Sequence, residues 1–214
     1  MFRETVSNEL FTLFLIIGLI FVAITKLIAP KRFSDFIYVL GNSKYLKIYA
    51  RDQKFFDKFE ALLFFNLLLS SSVFAIITFQ IITGLNINTI DYIIKITFAI
   101  AAFILIKVLI ERLIGSLFEI DRITDLYLFQ KITYKNFLGL ILIPIDALLL
   151  YSFKPSLIFI YLIIIFLLII NLIGLITTIK SHQTLIKGNF FYFILYLCAL
   201  EIAPYIILYK VLVS

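Results

Sequence analysis

Residues 156–179 read SLIFIYLIIIFLLIINLIGLITTI, and no charged residue interrupts this apolar stretch. An α-helix of about 20 such residues crosses the hydrocarbon core of a bilayer. Five further apolar runs recur along the chain, and the polar connections between them are too short to form a second domain. The sequence therefore predicts one all-α integral membrane domain over residues 1–214, a polytopic transmembrane bundle with six spans at residues 10–29, 61–83, 92–114, 136–151, 156–179 and 190–213.

The composition agrees with a membrane domain. Hydrophobic residues make up 63% of the chain and charged residues 15%, whereas a soluble domain is about half apolar and about a quarter charged. The chain has one cysteine, Cys198, and one histidine, His182. A disulfide framework or a Cys/His metal cluster cannot be built from these within one chain, so we predict no metal and no cofactor.

Most of the lysines and arginines lie in the first, third and fifth connections, at residues 30–60, 115–135 and 180–189. Cytoplasmic loops retain Lys and Arg, so these connections are predicted to be cytoplasmic and both termini to face the other side. The net charge of +6 does not indicate nucleic-acid binding, because the basic residues flank apolar spans and no recognition module is present.

The first connection carries basic residues at three- and four-residue steps, which places them along one stripe of a helix. We predict an amphipathic interfacial helix that contacts lipid headgroups through Lys44, Lys47, Arg51, Lys54 and Lys58. A solvated extension of the second span is the alternative. The third connection mixes charged and apolar residues and predicts a second interfacial helix.

Two acids, Asp146 and Glu201, lie deep in predicted spans, about 15 Å and 16 Å from the cytoplasmic end at 1.5 Å per residue. Each lies beside a proline, Pro144 or Pro204, which exposes backbone locally. Such acids are candidates for a proton or cation relay or a seat for a substrate headgroup, and Lys107 could pair with them. The alternatives are protonated carboxyls that join helices by hydrogen bonds, or a contact between subunits.

Other polar residues in the spans have simpler interpretations. Snorkelling and a local pair with Glu111 explain Lys107, and Asn66 and Asn171 are expected to hydrogen-bond between helices. Because residues 136–151 are short and contain Pro144, a re-entrant or broken helix is an alternative there. No G-x-S-x-G or H-E-x-x-H motif occurs, so we assign no catalytic residue.

Two segments carry a family resemblance: FILYLCALEIAPYIILYK at residues 193–210 and NFLGLILIP at residues 136–144. They resemble a bacterial multi-pass membrane family, typical of Bacteroidota, known as domain of unknown function 4271. The resemblance implies a bacterial inner-membrane location and an acid–proline pair, Glu201 and Pro204, typical of the family. It implies no activity and no catalytic residues.

The sequence thus favours a non-enzymatic structural or accessory subunit whose partners are membrane lipid and other membrane proteins. A proton-coupled transporter or channel-like component that uses Glu201 and Asp146 is the alternative. A lipid-modifying membrane enzyme is a weaker one, because few residues lie outside the spans to build a catalytic domain.

Overall fold

The computed structural model describes residues 9–42, 44–50, 57–84, 90–117, 120–151 and 156–181. Within these ranges the chain is all-helical, and no strand occurs in them. The helices, in chain order, are α1 (Glu9–Ile28), α2 (Pro30–Ile37), α3 (Lys44–Tyr49), α4 (Lys58–Thr83), α5 (Ile90–Leu117), α6 (Asp121–Tyr151) and α7 (Leu157–Ser181).

Five of these helices, α1, α4, α5, α6 and α7, are long and apolar enough to cross a membrane. The predicted helical membrane fold is confirmed at this level. The sixth predicted span, residues 190–213, lies outside the described residues. In α4 and α6 the most apolar stretch is 56% and 50% buried, against 22% or less in the other three helices. The pair α4 and α6 therefore forms the centre of the bundle.

Local chemistry sets two of the helix ends. Pro30 occupies the first turn of α2, where its missing N–H costs nothing, and Ala29 before it has the non-helical φ of −142° that a following proline favours. Gly84 ends α4 in the left-handed region at φ 70°, and its N–H donates to the Gln80 carbonyl at 2.9 Å. Only glycine adopts that conformation without strain.

The central helices run in the same direction and touch closely at one glycine. A Cβ on Gly139 of α6 would lie 2.6 Å from the Leu67 Cα of α4, and the Ser70 hydroxyl donates to the Gly139 carbonyl at 3.1 Å. On α7, Gly174 faces the Tyr134 ring of α6, and a Cβ on this glycine would lie 2.7 Å from the ring. Small residues at these crossings let the helix backbones approach each other.

Two apolar clusters lie at opposite ends of the bundle. At one end α2 and α3, here called the cap, bury aromatic side chains against α4 and α6; this cap cluster comprises Phe33, Phe36, Val39, Tyr45, Leu46, Phe59, Leu63, Phe129, Tyr134, Phe137 and Ile170. The far cluster joins α1, α4, α5, α6 and α7 through Phe11, Val73, Ile76, Ile77, Ile93, Leu149 and Ile163.

Residues 121–151 form one helix of 31 residues, whereas the sequence predicted an interfacial helix in the connection up to residue 135 and a separate span from residue 136. Polar side chains of the predicted connection are buried instead of lying at a membrane surface; they include Thr124, Gln130 and Thr133. Pro144 lies inside this helix, so the alternative of a broken fourth span is wrong.

The predicted basic stripe does not lie on one continuous helix. The helix α3 ends at Tyr49, and Asp57 before α4 is extended, with φ −80° and ψ 148°. A helix cannot continue through that conformation. Lys44 and Lys47 lie on α3 and Lys58 begins α4, while Arg51 and Lys54 lie outside the described residues.

Candidate functional site

A buried carboxyl, that of Glu60, joins four helices at the cap end of the bundle. Glu60 lies in the first turn of α4 and is 5% exposed. The Tyr45 hydroxyl of α3 donates to its Oε1 at 2.8 Å, and the Asn136 amide of α6 donates to its Oε2 at 2.9 Å. Arg32 of α2 donates from Nη2 to Oε1 at 3.3 Å. Donors thus converge on this carboxyl from three helices, and the bond from the Arg32 guanidinium is charge-assisted.

Arg32 is the cation of this group. Its guanidinium also pairs with Asp57 and donates from Nε to the Tyr45 hydroxyl at 3.3 Å. The guanidinium lies over three aromatic rings, 4.4 Å from the centroid of Phe59, 5.0 Å from that of Tyr49 and 5.9 Å from that of Tyr45, within the range of a cation–π interaction. We call Arg32, Tyr45, Asp57, Glu60 and Asn136 the Glu60 cluster.

Electrostatics in the Glu60 cluster keep the arginine charged and the phenol neutral. Burial alone would lower the pKa of Arg32, but its interactions with Tyr45, Glu60 and Asp57 raise it above the ordinary value. Burial, and then the nearby charge of Glu60, raise the pKa of Tyr45. The phenol therefore stays protonated and remains a donor to Glu60.

Aromatic rings surround the polar atoms of the Glu60 cluster. Phe36 meets Tyr45, Phe59 and Phe137 edge to face, at centroid distances of 5.6, 5.9 and 6.0 Å. Phe129 stacks on Tyr45 at 5.9 Å. Such pairs add about 0.5–1.5 kcal/mol each beyond the area they bury. The rings exclude water from the hydrogen bonds and fix the cap on the bundle.

A second buried ion pair joins α5 and α6. The Lys131 ammonium pairs with Glu111, which is 0% exposed, and lies 5.5 Å from the Tyr127 ring centroid. The sequence predicted only a local Lys107–Glu111 contact, because the pairing of α5 with α6 is not visible in the chain. Lys107 itself is buried, at 5% exposure, whereas snorkelling would have left its ammonium at the surface.

Asp146 lies in α6, five residues before this helix ends at Tyr151, and it is 0% exposed. Its predicted depth in a bilayer stays a prediction. Neither of its carboxyl oxygens has a hydrogen-bond partner among the described residues. The predicted pair with Lys107 is therefore not made within that part of the chain. Its helical neighbours Ile145 and Leu149 pack in the far cluster.

The two asparagines differ from their predicted role. Asn66 of α4 is fully buried, and in the described part of the chain its amide has no hydrogen-bond partner. Gly18 of α1 faces this amide, and a Cβ on the glycine would lie 2.9 Å from the Asn66 Oδ1. Asn171 is exposed on α7, so it does not join helices within the described residues.

The remaining predicted site residues are distributed as follows. Pro144 lies in α6, two residues before Asp146. Glu201 and Pro204 lie outside the described residues. Of the five residues predicted to contact lipid headgroups, the described ones are all exposed, namely Lys44, Lys47 and Lys58. The described ranges contain no group of three or more His, Cys, Asp or Glu side chains that could hold a metal ion.

Sequence reasoning missed the Glu60 cluster. It counted Arg32 as a loop charge, placed Tyr45 among the aromatic residues of an interfacial helix, and assigned no site role to Glu60 or Asn136. One signal was available: Glu60 continues the helical phase of the buried residues Phe59 and Leu63, and an acid in that phase needs a buried partner. The partner itself lies 28 residues earlier in the chain and could not be identified by spacing.

Comparison with known proteins shows the family of this chain. No curated protein and no solved structure matches the chain. One family model matches residues 11–212, almost the whole length, and it includes both segments that carried the resemblance. The chain therefore belongs to the family described as domain of unknown function DUF4271.

Proposed function

We propose that this protein is a six-span protein of the bacterial inner membrane, with both termini on the non-cytoplasmic side, that serves as a non-enzymatic structural or accessory subunit of a membrane complex. The observation that carries the proposal is the Glu60 cluster. Its charged and polar side chains bond to one another and join α2, α3, α4 and α6. This is the chemistry of a brace between helices.

The outer helices support the same proposal. Large apolar side chains are exposed along α5 and α7, for example Phe98 at 74% and Ile158 at 73%. Exposed apolar faces of this extent lie against lipid or another subunit. An accessory subunit would use part of them to contact its partners.

Photo-crosslinking in native membranes tests the subunit proposal. A photoreactive residue replaces Phe98 on α5 or, in a second strain, Ile158 on α7. We expect at least one of the two positions to crosslink to another membrane protein in stoichiometric yield. The matched control replaces Val73, which is 0% exposed and should crosslink only within the chain. Crosslinks to lipid alone from both outer positions, together with recovery of a functional monomer, would refute the proposal.

Labelling tests the orientation. In a Cys198→Ser background, Ser43→Cys and Ser214→Cys should react with a membrane-impermeant maleimide from opposite sides of the membrane. Reaction of both from the same side would rule out six spans with the proposed loop assignment.

A second function, proton-coupled transport or channel activity, is favoured by a different observation. Asp146 is buried without a hydrogen-bond partner among the described residues, and intramembrane acids often mark ion pathways. Proton flux into proteoliposomes should then vanish in Asp146→Asn and in Glu201→Gln. Asp91→Asn, which alters an exposed acid at the start of α5, should leave it unchanged. Equal flux in wild type and all three variants would exclude this function.

A further inference from the structure

We infer that the outer surface of the cap is a binding site for the headgroups of anionic phospholipids. The surface consists of Lys31, Lys44, Lys47 and Lys58 together with the exposed apolar side chains of Ile37, Tyr38, Leu40 and Ile48. The inference rests on the membrane insertion in the proposed function, but it does not require that the protein be an accessory subunit.

The cap separates its basic residues into two groups. The Arg32 side chain is 14% exposed and is used by Asp57 and Glu60, so it is unavailable to a ligand. The four lysines are exposed. Two acids lie among them in the described residues. Asp35 has a 20% exposed side chain that lies 3.8 Å from the Lys44 ammonium and accepts from the Tyr49 hydroxyl at 3.4 Å, and the 49% exposed side chain of Asp57 pairs with Arg32. The exposed charge of the described part of this surface is therefore positive.

Apolar side chains lie among these lysines instead of facing the core. On α2, Phe33 and Phe36 are buried, while Ile37 is 43% exposed and the following Tyr38 is 68% exposed. On α3, Tyr45 and Leu46 are buried, while Ile48 is 44% exposed beside Lys47. Lysines interleaved with exposed apolar and tyrosine side chains match the boundary between headgroups and acyl chains.

The position of the cap supplies the third argument. Its α2 begins two residues after α1 ends, and Lys58 begins α4. Both α1 and α4 are long and apolar enough to cross a membrane. The cap therefore lies at the height where a bilayer that surrounds these helices has its headgroups. The Glu60 cluster holds the cap in place, so the lysines are positioned before lipid binds.

The protein is first incorporated into nanodiscs made from equal parts of phosphatidylglycerol and phosphatidylcholine. It is then purified from them and partly delipidated, and the lipid that stays bound is quantified by mass spectrometry. We expect several-fold enrichment of phosphatidylglycerol over phosphatidylcholine. The enrichment should fall as NaCl is raised from about 0.05 to about 1 M, because salt screens charges at a surface.

Variants test which side chains are responsible. Replacement of the four lysines by glutamine should remove the enrichment, with each lysine contributing up to about five-fold in affinity. The matched set Lys→Arg should retain it, since the charge is kept. Lys95→Gln should also retain the enrichment, because Lys95 is an exposed lysine near the start of α5 and is not part of the cap surface.

Three results would overturn the inference: enrichment that survives in the glutamine set, loss in the arginine set equal to that in the glutamine set, or enrichment in the wild type that is independent of salt. Salt titration of the wild type requires no variant, so misfolding of a variant does not leave the inference untested. A chain that fails to enter the nanodisc at all would instead refute membrane insertion, and with it the proposed function.

Discussion

Glu60 and Asp146 are two buried carboxyls in the two central helices, and their surroundings are opposite. Glu60 is 5% exposed and accepts hydrogen bonds from Arg32, Tyr45 and Asn136. Asp146 is 0% exposed, and neither oxygen has a partner among the described residues. A buried charge is retained only where partners compensate for lost hydration. Burial alone therefore does not show what a carboxyl does. The hydrogen-bond partners of Glu60 indicate a structural role, whereas Asp146, without partners among the described residues, is a candidate for another role such as the proposed proton transport.

The largest effect is expected for Glu60→Ala. It removes the buried carboxylate of Arg32, which keeps only the more exposed Asp57 as an ion-pair partner, and breaking a buried pair in this way costs about 3–5 kcal/mol. The measurement is the free energy of unfolding by SDS in mixed micelles. The control, Asp57→Asn, alters the partner whose side chain is 49% exposed and should cost less than about 1 kcal/mol. Equal losses in the two variants would show that the Glu60 cluster is not the brace described above.

The next largest effect is expected at Gly139. This residue lies on α6 between Asn136, which bonds to Glu60, and Asp146. Gly139→Ala places a methyl group 2.6 Å from the Leu67 Cα, so α4 and α6 must separate, at a cost of about 1–3 kcal/mol. Gly41→Ala is the matched control, because a Cβ there has no atom within 4 Å. Unchanged unfolding of Gly139→Ala would mean that the two helices do not touch at this crossing.

A smaller effect should appear at alkaline pH. Burial and the charge of Glu60 raise the pKa of Tyr45, so the folded state holds this proton more tightly than the unfolded state. The stabilisation that follows from this difference is complete below about pH 10, which is the pKa of tyrosine in the unfolded chain. It is lost as pH rises further, at up to about 1.4 kcal/mol per pH unit. The difference in unfolding free energy between wild type and Tyr45→Phe, followed from about pH 8 to about pH 11, isolates it. A constant difference would contradict the assignment.

The smallest effect is expected for Asp146→Leu. With no hydrogen bond to lose among the described residues, the substitution should leave stability unchanged or raise it by at most about 1 kcal/mol, because an unsatisfied polar group is removed. The measurement is the free energy of unfolding in SDS of Asp146→Leu, compared with that of Glu60→Leu. A loss as large as that of Glu60→Leu would reveal a partner of Asp146 in residues outside those described.

The sequence predicts the parts of this fold that local composition determines. Apolar runs placed α1, α4, α5 and α7 within a few residues of their observed bounds, because an uninterrupted run of about 20 apolar residues has few alternatives. The continuity of α6 was missed, since the sequence predicted a separate interfacial helix at residues 115–135 and does not show that Thr124, Gln130 and Thr133 are buried.

The candidate site residues also divide into those that the sequence identifies and those that it does not. Asp146 was identified from sequence because an acid in an apolar run is conspicuous by itself. The Glu60 cluster was not, because its meaning depends on helices that are distant in the chain, such as Asn136 of α6, which lies 76 residues after Glu60. The Glu111–Lys131 pair was missed for the same reason, since it depends on the contact of α5 with α6.

The continuity of α6 has a structural consequence. At 1.5 Å per residue its 31 residues measure about 46 Å, against about 30 Å for the hydrocarbon core. Asn136, bonded to the Glu60 cluster, and Asp146 lie about 15 Å apart on this one rod. Pro144 lies between them and has no N–H to donate to the Leu140 carbonyl, so the helix that connects the cap to the acid lacks one backbone hydrogen bond just before Asp146.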